Sequence, residues 1–221
     1  MTVSKETLYK LHYLTLIIIL FVLDLVSKNY AENNFSFGQS YTTFLPFIDF
    51  FLIYNSGIAF GLFDGYGDLA SNILLIITII ILAYLIRMLI QEKVQIAKLA
   101  LSLIIAGALG NIIDNVFYGL IFDSGTTWNN DIGYWVGYNG VSKADFSGYS
   151  EILGGCVVDM VHLVFYWPSW APFDLGGSEV FPPVFNLADA SISVSVFFIL
   201  IFYKKIVRKE DLDFSFNKKS K

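Results

Sequence analysis

The side chains in this chain that could do chemistry are mostly aspartates and asparagines set in apolar surroundings. They are Asp24 and Lys28 in LDLVSK, Asn55 in YNSGIAF, Asn111 and Asp114 in GALGNIID, Asp159 in GGCVVDM, and Asn186 and Asp189 in FNLAD. Asp24 and Lys28 are spaced i, i+4 and can meet on one helix face. Asn111 with Asp114, and Asn186 with Asp189, are spaced i, i+3, so each pair presents an amide and a carboxylate together. A charge at membrane depth is costly unless it is paired, protonated or turned toward a wet cavity that does work. Asp189 is the sharpest case, because PPVFNLADASISVSVFFIL reads as the start of a membrane helix with this carboxylate about two turns in. The plainer alternative is an Asp near the helix start that caps backbone N–H groups.

What is missing narrows the chemistry. With two histidines and one cysteine, an HExxH zinc site is absent, and no Gly-rich phosphate loop, basic nucleic-acid patch or internal repeat is present. Cys156, with His162 nearby, reads as packing rather than as a nucleophile, and a lone cysteine forms no intramolecular disulfide. Carboxylates remain. Two aspartates held close in a low dielectric cannot both ionise easily, so one keeps a proton while the other acts as a base toward water, and the two titrate as a pair. The same residues could instead relay protons or ions in a small carrier, or act as structural glue in a membrane assembly factor.

The elements that must position these groups are membrane helices. Of the 221 residues, 56% are hydrophobic, 17% aromatic and only 15% charged, with mean hydropathy +0.63. Apolar runs predict helices at about 8–26, 69–90, 96–118 and 184–207, each close to the roughly 20 residues that cross a bilayer. Asp24 and Lys28 interrupt the flank of the first run, which reads as a retained helix rather than a cleaved signal peptide. The formal net charge is −5, yet all but two of the 14 basic residues, Lys28 and Lys143, precede helix one, surround the turn between helices two and three, or lie at the end of helix four and in the C-terminal tail at about 208–221. The positive-inside rule then puts both termini in the cytoplasm and both long loops, about 29–68 and 121–183, outside. Aromatic and β-branched segments either side of Pro46 predict a small β-sheet in the first outer loop, and the second, which holds all four tryptophans, is long and aromatic-rich. The expected fold is a mainly α membrane protein of about four transmembrane helices, one membrane-embedded domain over residues 1–221.

LDLVSK, NSGIAF, GALGNIIDN, GGCVVDM and FNLADASI, in this order, resemble the lipoprotein signal peptidases, also called signal peptidase II, from Leu23 to Phe198 and excluding much of the second outer loop. The resemblance implies a membrane aspartic endopeptidase of the bacterial inner membrane. It would cut signal peptides from diacylglyceryl-modified prolipoproteins just before the lipidated cysteine, working as a monomer among membrane lipids without metal or organic cofactor. Asp159 and Asp189 match the catalytic dyad, while Asp24, Lys28, Asn55, Gly107, Asn111, Asp114 and Asn186 match positions that shape and support the site toward the outer face. Two departures stand out: Asn115 replaces the Arg the family has after the aspartate of its GN motif, and an insertion separates Asp114 from Asp159. Asp123, nine residues after Asp114, has the ungapped spacing and is the rival to Asp159. Its following SGTT is turn-like and polar, whereas Asp159 lies between GGCVV and MVHLVF, apolar surroundings that suit a carboxyl needing a raised pKa.

Overall fold

The computed structural model of the chain describes residues 5–55 and 67–206. The SGIAF half of YNSGIAF and the tail expected at 208–221 lie outside the described residues. The chain opens with α1 (Lys5–Asn34), followed by two strands, β1 (Ser40–Thr42) and β2 (Ile48–Asn55). Next come α2 (Gly67–Gln91) and α3 (Gln95–Ile113), which passes through a π turn at Asp114–Tyr118 into the single turn α4 (Gly119–Ile121). The long second loop carries a hairpin, β3 (Thr127–Asn129) with β4 (Tyr134–Val136), then β5 (Val157–Leu163) and β6 (Val184–Phe185). α5 (Leu187–Ile201) and the short α6 (Tyr203–Ile206) close the described chain.

α1, α2 and the run from α3 to α4 are long and apolar enough to cross a membrane, whereas α5 is a shorter apolar helix. α3 is the axis of the bundle, packed on α1, α2 and α5. Its buried face carries Ala97, Ala100, Ser102, Ala106, Gly107, Ala108 and Gly110. Small residues of this kind let helix backbones approach closely where lipid offers no hydrophobic drive to association. Gly107 sets the α5 contact: a Cβ there would lie 2.4 Å from the carbonyl oxygen of Ala188 on α5. Larger apolar side chains such as Ile19, Ile80, Ile90, Phe197 and Leu200 point outward, the arrangement expected of helices solvated by acyl chains.

Three elements differ from the sequence expectation. The first helix extends to Asn34 rather than 26, because no Gly or Pro interrupts it before Gly38. Asn33 and Asn34 also donate side-chain bonds back to the carbonyls of Asn29 and Tyr30, both at 2.7 Å. The sheet is not confined to the first loop. It is four-stranded and antiparallel in the order β1-β2-β5-β6, so half of it comes from the second loop. Finally, Val184 and Phe185 are strand, not helix, and pair with His162 and Val161. Pro182 and Pro183 bias this stretch to extended backbone, and Asn186 caps the helix that follows. Asp189 therefore sits in the first turn of α5 rather than two turns in.

Two cores result. Ile17, Leu75, Leu82, Ile105 and Ile112 fill the helix bundle, while Ala31, Leu52, Tyr118, Phe122, Val158 and Met160 pack the sheet onto the ends of α1 and α3. The bundle core depends on the missing side chain of Gly107. Gly107→Ala should lower stability by about 1–3 kcal/mol through overpacking against α5, read as a lower melting temperature in detergent. An unchanged melting temperature would show that the α3–α5 contact is looser than described.

Candidate active site

The site forms where the sheet meets the heads of α1, α3 and α5. Lys28 lies at its base, fully buried, with its Nζ 2.7 Å from Asp24 Oδ2 and 2.7 Å from Asp114 Oδ2. One ammonium thus faces two buried carboxylates, and further hydrogen bonds share the charge. Asp24 Oδ1 accepts the backbone N–H of Ala188 on α5 at 2.9 Å, and Asp114 Oδ2 accepts that of Val158 on β5 at 3.3 Å. Such a cluster is tolerable in a low dielectric only because nearly every polar atom has a partner.

From this base the amides orient themselves in turn. Lys28 donates to Asn111 Oδ1 at 3.0 Å; since lysine only donates, the Asn111 NH2 must point the other way, and it reaches Asp189 Oδ1 at 2.9 Å. Asn186 repeats the logic. Its side-chain oxygen caps α5 by accepting the Asp189 N–H at 2.8 Å, and the Asn186 N–H returns a 3.3 Å bond to Asp189 Oδ2, a reciprocal capping box. The NH2 of Asn186 is then left to donate to Asp159 Oδ1 at 2.7 Å. Asp189 therefore caps its helix and belongs to the polar cluster at once.

Asp159 comes from β5 and is buried between Val158 and Met160. It lies across the sheet from Ile53, where a register shift between Phe50 and Ile53 re-aims β2. Asn55, two residues on, donates to Asp159 Oδ2 at 3.4 Å. Asp159 and Asp189 are near enough to act on each other, and the Asp159 carboxyl is pushed well above the ordinary aspartate range, first by burial and then by the charge of Asp189. A cleft of about 220 Å³ opens beside them, lined by Asn55, Asn111 and Val157 and walled by Leu74, Leu75 and Ile192. A larger groove of about 660 Å³, between α1 and the end of α3, carries none of these polar residues. Among the described residues no group of three or more His, Cys, Asp or Glu is arranged to hold a metal ion.

The structure thus gathers Asp24, Lys28, Asn55, Asn111, Asp114, Asp159, Asn186 and Asp189, with Gly107 at the α3–α5 contact just below. Asp123 is engaged elsewhere: its carboxylate accepts the Lys143 N–H at 2.8 Å and the Ser142 hydroxyl at 3.2 Å, closing the inserted loop. Asn115 turns back to donate to the Asn111 carbonyl at 2.9 Å.

Other supports were not legible beforehand. A Cβ on Gly110 would meet Asp24 Oδ2 at 2.3 Å, and one on Gly155 would meet the Asp114 carbonyl at 2.1 Å, so both glycines permit the approach of backbone to site. Their only sequence signal is that they lie within quoted motifs, Gly110 in GALGNIID and Gly155 in GGCVVDM. Glu32, buried at the end of α1, accepts the hydroxyls of Tyr54 and Tyr138. Burial, followed by the charge of Glu32, raises the Tyr138 hydroxyl to about 12. This knot ties the inserted loop to β2 beside Asn55; nothing local distinguishes Glu32 from a surface glutamate.

A helical bundle with a small sheet, bringing two aspartates together at its head, defines an integral membrane protein with a carboxylate-pair site. The chain belongs to the signal peptidase II family, whose model, described as Signal peptidase (SPase) II, matches residues 16–205. It is 36% identical over 202 residues to the lipoprotein signal peptidase of Porphyromonas gingivalis, covering 87% of this chain and 82% of that protein. It is 29% identical over 195 residues to that of Aquifex aeolicus, covering 86% and 84%. A solved bacterial membrane enzyme shares the fold with a TM-score of 0.58 at 24% identity, over 95% of this chain and 94% of that one. The protein is a multi-pass bacterial membrane protease, and its family leaves the ion-carrier and assembly-factor readings without support.

Removing the ammonium should expose what the cluster depends on. Lys28→Met would strand Asp24 and Asp114 and cost about 3–5 kcal/mol, measured by denaturation in detergent; a loss below about 1 kcal/mol would mean the carboxylates do not need it.

Proposed function

We propose that the protein is an aspartic endopeptidase that removes signal peptides from diacylglyceryl-modified prolipoproteins, cutting before the lipidated cysteine, with Asp159 and Asp189 as its catalytic dyad. The observation that carries this reading is the pairing of one aspartate from β5 with one from α5 at the same polar cluster, each held by an asparagine amide. Asp24, Lys28, Asn111, Asp114 and Asn186 position the pair, and Asn55 steadies Asp159.

In this mechanism the pair shares one proton, held on the more buried Asp159, while Asp189, the less buried of the two, takes a proton from water. The water oxygen bonds to the scissile carbonyl carbon as the Asp159 proton bonds to the carbonyl oxygen, giving a tetrahedral diol. Collapse of the diol breaks the C–N bond; the proton on Asp189 passes to the leaving amine of the cysteine, and a diol hydroxyl returns its proton to Asp159. The signal peptide leaves as a carboxylic acid, which gives its proton to solvent. Its apolar segment lies along Leu74, Leu75 and Ile192 of the cleft, which would open sideways to the bilayer.

The distribution of basic residues supports cytoplasmic termini and a site toward the outer face of the cytoplasmic membrane. One chain supplies every residue of the site, which accords with a monomer.

Two outcomes test this. Asp159→Asn and Asp189→Asn should each abolish cleavage of a diacylated precursor while the protein stays folded, and Asp123→Asn should keep most activity; a dead Asp123→Asn with an active Asp159→Asn would reverse the assignment. Acyl contacts also position the bond, so unmodified precursor should be cleaved at least about a hundredfold more slowly than diacylated precursor under matched conditions. Equal rates would sink the lipid requirement.

A further inference from the structure

A second cleft, of about 310 Å³, adjoins the first across Ser71, which lines both. Its walls differ in kind from the apolar ones beside the dyad. They are Asn72 on α2, Trp135 on the β3–β4 hairpin of the inserted loop, and the backbone from Ser150 to Gly155. Two polar atoms here are buried without any hydrogen-bond partner: Asn72 Oδ1, an acceptor, and Trp135 Nε1, a donor. Buried orphans of this type are rare, and each costs the free protein its desolvation.

The floor of this cleft is fixed relative to the dyad. The N–H groups of Ser150, Leu153 and Gly155 bond to the carbonyls of Gly119, Val116 and Asn115, at 2.9, 3.1 and 3.0 Å, which pins the segment to the π turn and α4. Leu153 is held at φ 69°, a left-handed conformation unfavourable for a leucine and kept only by such surroundings. Trp135 is held as firmly, edge-on to its cross-strand partner Trp128, which in turn lies over Gly67 at the start of α2. From Gly155 the chain passes through Cys156 into β5 and reaches Asp159 four residues on, a span of at most about 13 Å.

We infer that this cleft is a peptide-backbone subsite for the residues that follow the cleaved bond, with Asn72 and Trp135 as its recognition pair. The inference rests on the signal-peptidase reading above and adds to it where the mature chain lies. A peptide segment offers both N–H and C=O groups, and so supplies a partner for the orphaned acceptor and one for the orphaned donor. The ester groups of a diacylglyceryl moiety offer acceptors only and would leave Asn72 Oδ1 unpaired. Gly155, at the edge of this cleft, lies four residues from Asp159, so a substrate chain leaving the dyad reaches the cleft within about four extended residues. The apolar signal segment and the polar mature segment would then occupy adjoining clefts on either side of the dyad's level.

The test uses two diacylated precursors, identical through the modified cysteine, one amidated there and the other extended by six residues. Wild type, Trp135→Phe, Asn72→Leu and the double variant are compared. With the extended precursor each single variant should raise KM about fivefold, the worth of one hydrogen bond, with kcat preserved. With the truncated precursor all four proteins should match. The melting temperature of Trp135→Phe should equal or exceed that of wild type, since its Nε1 has no partner in the free protein. Equal loss on both precursors, no change on either, or a lowered melting temperature would overturn the subsite. Failure of wild type to cleave either precursor would instead overturn the peptidase reading on which it rests.

Discussion

The structure depends on one buried ammonium. Lys28 is charged, fully enclosed, and can only donate, so every group around it must accept. Asp24 and Asp114 supply the compensating charge, and because each also accepts a backbone N–H, from Ala188 and Val158 respectively, the ion cluster fixes the start of α5 and the start of β5 relative to α1 and α3. These are the two elements that carry Asp189 and Asp159. The placement of the dyad is a consequence of satisfying Lys28, and the amide of Asn111 transmits that constraint directly to Asp189.

Backbone proximity is the second requirement. Asp114 opens the π turn at the end of α3, and such turns widen a helix locally at functional positions. Here the turn releases carbonyls that anchor the segment leading into β5. Gly107, Gly110 and Gly155 allow α5, Asp24 and that segment to approach to distances no side chain would permit. The inserted loop is thereby joined to the site from below by the π turn and from the side through Tyr138, Tyr54 and Glu32. It is a wall of the site rather than an appendage, with Asp123 spent on closing it.

The long apolar runs made the helices legible in the sequence, since a period-independent stretch near bilayer length has few other uses. The site's polar members were legible for the complementary reason: charges in such runs demand partners, and i, i+3 and i, i+4 spacing indicated which could meet. Other features were hidden because they are nonlocal. The continuation of α1 past Asp24 is set by the absence of a breaker and by side-chain bonds from Asn33 and Asn34. The sheet joins strands about a hundred residues apart, and no periodicity announces that Ile53 faces Asp159. The FNLAD stretch was legible both as a helix cap and as part of a polar cluster, and Asp189 caps α5 while bonding to Asn111, which a choice between the two would have missed. Glu32 and Gly155 gain meaning only once distant segments surround them.

The central claim is that Asp159 and Asp189, brought together by the Lys28 cluster, act on one reacting carbon. It is met most directly by a crystal structure of the protein bound to a diacylated peptide whose scissile carbonyl is replaced by a secondary alcohol, a stand-in for the tetrahedral intermediate. The account predicts the hydroxyl within hydrogen-bond distance of both Asp159 and Asp189. A hydroxyl bound away from the pair, or beside Asp123, would contradict it.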